Sequence, residues 1–218
     1  FVIGIFSIQR LGIYFIMLTL AFNQLAFFIA YEWDGLTGGD NGLLDIPRPP
    51  LFFGQGISID SGISFYYFVF FVFLICFLVI QRIINSPFGQ VLQALRENED
   101  RAWTVGFNIK RYKLTAFIIS GFFTGIAGGI YALFLQLVPL NAVELMTSAE
   151  ILIMTLVGGT GSLYGPLIGS AVVKIFSEIL STIWSRWLLI LGIIYIIFIM
   201  FMKGGIWGMV QSIKGWSK

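Results

Sequence analysis

Residues able to do chemistry are scarce in this 218-residue chain, and their types restrict what they can do. There is no histidine and one cysteine, Cys76. A His general base, a His metal ligand and a Ser-His-Asp arrangement are thereby excluded, as are an internal disulfide and a Cys-x-x-Cys motif. The charges include one crowded run, Arg96-Glu97-Asn98-Glu99-Asp100-Arg101, and isolated positions in apolar surroundings such as Glu150, Lys174 and Glu178. No carboxylate pair reads as an active site, and no metal centre is expected. The chemistry open to the run is that of a contact surface: ion pairs and helix capping offered to a partner, or a solvated cluster at an interface. Elsewhere, Lys174 and Glu178 are spaced to pair along one helix. Glu150 follows Thr147 at the spacing of a capping box, which needs no catalytic role.

Glycine supplies the other patterns. Gly121, Gly125 and Gly129 repeat at intervals of four, with Gly128 beside them, and Gly165 and Gly169 repeat the spacing later. Such a stripe suits close helix packing, or less commonly a small-residue lining of a pathway. The stretch "GGTGSLYGP" places Gly158, Gly159 and Gly161 in a turn. The segment "GLTGGDNG", with Gly38, Gly39, Asn41 and Gly42, has no Lys-Ser/Thr ending and no preceding strand. It is therefore an ordered turn-rich loop, or a contact for substrate or partner, and not a nucleotide cradle.

The elements that must position these residues are membrane helices. Only 11% of the chain is charged and 58% is hydrophobic, against about 25% charged in ordinary soluble domains. Uncharged runs over 11–31, 63–80, 114–138 and 187–202 suit a hydrocarbon layer about 30 Å thick. Residues 32–60 hold five acids against Arg48, whereas 82–113 hold six Lys/Arg against three acids, and the tail from Lys203 carries lysines alone. The positive-inside rule puts 82–113 and the carboxyl terminus in the cytoplasm, the loop 32–62 outside, and Arg10 at the cytoplasmic end of the first span. Parity then requires 148–183 to begin and end outside. A broken element with limbs 148–158 and 166–183 satisfies this, as do two tilted full spans. The expected fold is thus all-α: a polytopic transmembrane helical protein with a cytoplasmic polar segment and a discontinuous helix. Net charge is only +2 with no basic aromatic patch, so a nucleic-acid partner is not expected. No signal-peptide pattern opens the chain, and the start at Phe1 within a hydrophobic run reads as an amino-terminally truncated piece of one transmembrane domain, 1–218.

Within 82–113, Ser86-Pro87 is a helix start, and Phe88, Val91, Leu92 and Leu95 form an apolar face opposite Gln90, Gln93 and Glu97. Asn98 can cap a second helix with Glu99 and Asp100 in its first turn, and Gly106 can end it.

With these pieces in order, the chain resembles the permease subunits of branched-chain amino acid ABC importers, on the LivM branch of the LivH/LivM family. The resemblance is carried by "RLGIYFIMLTLAF", "WDGLTGGDNGL" with "IPRP", "SPFGQVLQALRENEDRAWTVGFNI", "KLTAFIISGFFTGIAGGIYA", "SAEILIMTLVGGTGSLYGPLIG" and "GGIWG". It implies a bacterial or archaeal cytoplasmic membrane and a second homologous permease subunit. It also implies two cytoplasmic ATPases that bind ATP and Mg, and an extracytoplasmic substrate-binding protein. This chain would hold no cofactor and catalyse nothing. Arg96, Glu97, Asn98, Glu99, Asp100, Arg101 and Gly106 would contact the ATPase. Asn98 stands where an Asp is usual in the family, and Trp103 stands in a stretch of small residues. Urea or another small amide or amino acid is an alternative cargo. An ion-coupled carrier or channel is the rival class, and it would make Lys174 or Glu178 essential.

Overall fold

The computed structural model describes residues 1–9, 12–48, 62–183, 186, 189, 190, 192, 193, 195, 196 and 205–208. Arg10, Pro49, Asp60, most of the run 187–202, and the lysines of the carboxyl tail lie outside the described residues. The chain forms two compact units, Phe1–Glu144 and Leu145–Lys218.

The first unit is helical throughout its described length, apart from loops. A short helix α1 (Val2–Ile8) precedes α2 (Ile13–Glu32), which is followed by the single turn α3 (Asp34–Thr37). Then come α4 (Gly62–Ile84), α5 (Pro87–Glu97), α6 (Glu99–Thr104) and α7 (Ile109–Leu135). The second unit is built on α8 (Leu145–Gly158) and α9 (Tyr164–Ile183). Among the described residues, α2, α4, α7 and α9 are long and apolar enough to cross a membrane. Their large apolar side chains are mostly uncovered by the chain itself, for example Phe28, Phe71, Phe122 and Ile179. Water would make that exposure untenable, whereas lipid and neighbouring subunits make it ordinary. The protein is an all-α, multi-pass membrane protein.

Helix ends follow from local chemistry. α7 starts before its uncharged run because the Asn108 side chain accepts from the Arg111 amide at 3.2 Å, bringing Lys110, Arg111 and Lys113 into the first turns. It stops at Leu135, where Gln136 takes a left-handed backbone (φ 56°). Leu43 and Val138 then exchange both backbone hydrogen bonds, at 3.2 and 2.9 Å, and the Ile46 amide donates to Gln136 at 3.0 Å. Arg48 completes this closure. Its Nε and Nη2 donate to the carbonyls of Leu133 and Phe134, each at 3.0 Å, while its guanidinium sits 4.6 Å from the centre of the Phe65 ring. A cation thus satisfies orphan carbonyls at the negative end of α7.

In the second unit α8 and α9 form a tight hairpin around Met154, Val157 and Val173, with Ile153, Tyr195 and Ile206 packed against them. The stretch 145–183 is therefore two helices joined by a turn. Gly159 opens that turn with φ 105°, a conformation L side chains avoid. The Ser162 hydroxyl accepts from the Gly165 amide at 3.0 Å as the chain re-enters helix.

Candidate functional site

The polar segment 86–109 is a small built object. Ser86 accepts from the Gly89 amide at 3.4 Å with Pro87 in the first helical turn, so α5 begins where its sequence signals a start. A side chain at Gly89 would overlap the carbonyl of Ile84, so α5 can fold back directly from the end of α4. Leu95 is buried, Phe88, Val91 and Leu92 are half-buried, and Gln90, Gln93 and Glu97 face outward. Phe88 stacks on Tyr112 of α7 with ring centres 5.6 Å apart, and Phe107 meets the same ring edge-on at 5.9 Å. One aromatic on α7 therefore holds both ends of the segment.

Between α5 and α6 the extended Asn98 breaks the helical path and restarts it. Its Oδ1 accepts from the Arg101 amide at 3.0 Å, and Glu99 and Asp100 occupy the first turn of α6, where the macrodipole favours negative charge. The far end closes as a Schellman motif: the Gly106 amide donates to Trp103 at 2.9 Å and the Phe107 amide to Ala102 at 3.2 Å. Gly106, at φ 96°, supplies the left-handed residue, and Ala102 is buried beneath the closure. Glu99 then reaches across to Lys113 of α7, Oε1 to Nζ 2.6 Å. What remains outward is Arg96, Glu97, Asn98, Asp100 and Arg101, with Trp103 and Val105 exposed at 71% and 69%.

The two glycine stripes fare differently. A Cβ built at Gly121, Gly125, Gly128 or Gly129 meets nothing within 4 Å, so that face of α7 is open among the described residues. At Gly158 an added Cβ would strike the Gly165 carbonyl, at Gly165 that of Gly159, and at Gly169 that of Met154. Gly161 lies exposed in the turn with open space around it. After α3, Gly38 lies against the Gly42 carbonyl, Gly39 against the Asp34 carboxylate and Gly42 against Val138, while the exposed Asn41 ends the single turn Gly39–Asn41.

Two sequence expectations are corrected. Lys174 does not pair with Glu178: its Nζ lies 3.0 Å from Glu150 Oε1 on α8. The glycine contacts bring the two helix backbones close enough for a cross-helix pair to replace the one within a turn. Nor is Thr147 an N-cap, because α8 already starts at Leu145 and the Glu150 carboxylate is engaged by Lys174. Arg48 was counted in the sequence only as a charge. Its carbonyl partners lie 85 and 86 residues further along, beyond the reach of any local pattern. Among the described residues no cluster of His, Cys, Asp and Glu could hold a metal ion.

An all-α architecture with a capped polar segment fastened to a long apolar helix defines the class, that of multi-pass helical membrane proteins. Residues 1–202 match the family described as branched-chain amino acid transport system / permease component, and the chain belongs to that family. It is 26% identical over 97% of its length to the high-affinity branched-chain amino acid transport system permease protein LivM of Escherichia coli (strain K12), covering 54% of that protein. It is 30% identical over 44% of its length to the probable branched-chain amino acid transport permease protein LivH of Methanocaldococcus jannaschii, covering 30% of it. A fructose import permease protein, FrcC of Rhizobium meliloti, is 29% identical over 58% of the chain and 36% of that protein. The chain spans about half the length of the LivM relative. No solved structure matches it.

Proposed function

We propose that the chain is the transmembrane subunit, on the LivM branch, of an ATP-binding-cassette importer for branched-chain aliphatic amino acids, and that residues 86–109 couple it to cytoplasmic ATPases. The observation that carries this reading is the construction of α5 and α6. Both are capped, both are fastened to the first turns of α7 through Tyr112 and Glu99–Lys113, and both present charge and an exposed indole outward. A segment held in this way passes a displacement on to α7, where a freely hinged one would absorb it. The LivM and amino-acid parts of the reading are supported by the match over 97% of the chain to the Escherichia coli relative.

In this reading 1–218 is one permease domain that pairs with a second homologous subunit. Two ATPases bind ATP and Mg, and a substrate-binding protein delivers the amino acid to the outer side. Nucleotide binding draws the ATPases together, α5–α6 moves with them, and α7 follows. The chain makes and breaks no covalent bond. The excess of Lys/Arg in 82–113 and the acids of 32–48 support a cytoplasmic coupling segment, an outer loop on the opposite side and a cytoplasmic carboxyl terminus.

The test is charge reversal in the assembled importer by Glu97→Lys together with Asp100→Lys. Glu99 is spared because it holds Lys113. Facing like charges across a fitted interface is costly, so ATP-driven uptake of L-leucine and capture of the ATPases both fall by about tenfold or more. Unchanged uptake with unchanged capture would sink the coupling role.

A further inference from the structure

The charges on α8 and α9 are the least explained polar groups in the chain. Glu150 and Lys174 pair across the hairpin at 3.0 Å, yet their side chains remain 43% and 66% exposed. Glu178 lies one turn beyond Lys174 on the same face of α9, is exposed, and has no ion-pair partner among the described residues. Ser170 lies one turn before Lys174, so the face reads Ser170, Lys174, Glu178. Tyr195 packs on the Met154–Val157–Val173 core of the same unit. The remaining residues of both helices are overwhelmingly apolar.

A charge facing hydrocarbon is expensive, and charges kept within spanning elements face a water-filled or protein-lined space. Neither helix encloses this pair, so both charges can be reached from outside the hairpin. Its components are a carboxylate and an ammonium that satisfy each other when alone, with a second carboxylate in reserve. An α-amino acid carries the complementary two groups on one carbon. Its carboxylate can accept from Lys174, and its ammonium can donate to Glu150, with Glu178 within one turn.

From this we propose that Glu150 and Lys174 form a transient zwitterion site on the transport path, which opens its own ion pair to take an α-amino acid between the two charges. The inference rests on the importer reading above and adds to it the residues that touch cargo. Breaking a preformed pair lowers affinity, which suits a site that must release what it binds.

The test uses the complete importer in proteoliposomes, with L-leucine as probe. Glu150→Gln and Lys174→Gln each remove one charge-assisted hydrogen bond to the zwitterion, and uptake falls by about tenfold or more while subunit assembly persists. The exchange Glu150→Lys with Lys174→Glu rebuilds the ion pair but reverses the cargo's required orientation, so uptake stays low. A second measurement is independent of these variants. In a Cys76→Ala background, Ser170→Cys is labelled by a small charged thiol reagent, and millimolar L-leucine slows that labelling. The site is refuted by uptake within about twofold of the parent in both neutral variants, by recovery in the exchanged pair, or by labelling indifferent to L-leucine. If the unsubstituted importer carries no amino acid at all, the importer reading fails and this proposal falls with it. If it carries L-leucine and any of those three results is found, this proposal alone fails.

Discussion

Substitution of Gly169 by alanine tests how α8 and α9 are held together. An added Cβ would overlap the Met154 carbonyl and sit 2.6 Å from the Gly158 nitrogen and 2.7 Å from its Cα, where ordinary contact begins at 3.4 Å. Every one of these obstacles is backbone, so no side chain can swing aside. The helices must part by close to 1 Å, and overpacking of this kind costs about 1–3 kcal/mol. Parting also loosens the contacts of Met154, Val157 and Val173 at the centre of the unit. Against this, alanine in place of glycine within a helix gains up to about 1 kcal/mol from propensity. Gly125→Ala isolates that gain, because its Cβ would enter open space. The expected result is a loss of about 1–2 kcal/mol for Gly169→Ala and none for Gly125→Ala. Reversible denaturation of the purified subunit in mixed micelles, followed by tryptophan fluorescence, measures both. Equal stability of the two variants would refute the argument, since the same exchange would then be insensitive to the backbone contact that distinguishes them.

Two further outcomes follow. Arg48→Met removes both donors to the carbonyls of Leu133 and Phe134, so amide exchange at Leu43, Ile46 and Val138 should rise by about tenfold or more, the worth of at least one charged hydrogen bond, without loss of the spanning helices; unchanged protection there would show that the loop is held by its backbone alone. Asn98→Ala removes the cap of α6 at a cost of about 1 kcal/mol, while Asn98→Asp retains it, so faster proteolysis or exchange across 99–104 should appear in the first variant only.

Sequence legibility here divides by distance along the chain. The starts of α5 and α6 could be read from Ser86-Pro87 and from Asn98 with Glu99 and Asp100, because a cap and its amide lie three residues apart. Gly106 could be read for the same reason. Lys174 was misread because local spacing offered Glu178, while Glu150 became its neighbour only through the glycine-mediated approach of two helices. The stripe at Gly121, Gly125 and Gly129 and that at Gly165 and Gly169 look alike as spacing, yet the second is covered by α8 and the first is open. Spacing states that a backbone can be approached; it does not state what approaches it. The contact role of residues 96–101 stays a proposal, since a surface that acts on a partner has no internal consequence for the fold to record.

The Arg48 closure also orders events in time. The guanidinium can find its carbonyls only after residues 133 and 134 have been synthesised, 85 residues later. At ordinary elongation rates that wait lasts roughly 4–17 seconds. Throughout it, α4 and the segment α5–α6 are made while the residues after α2 have neither Val138 to pair with nor a helix end to cap. The closure is therefore a late stitch. It fastens the residues after α2 to a helix end made some ninety residues afterwards, and only then is the register between those two parts of the chain fixed.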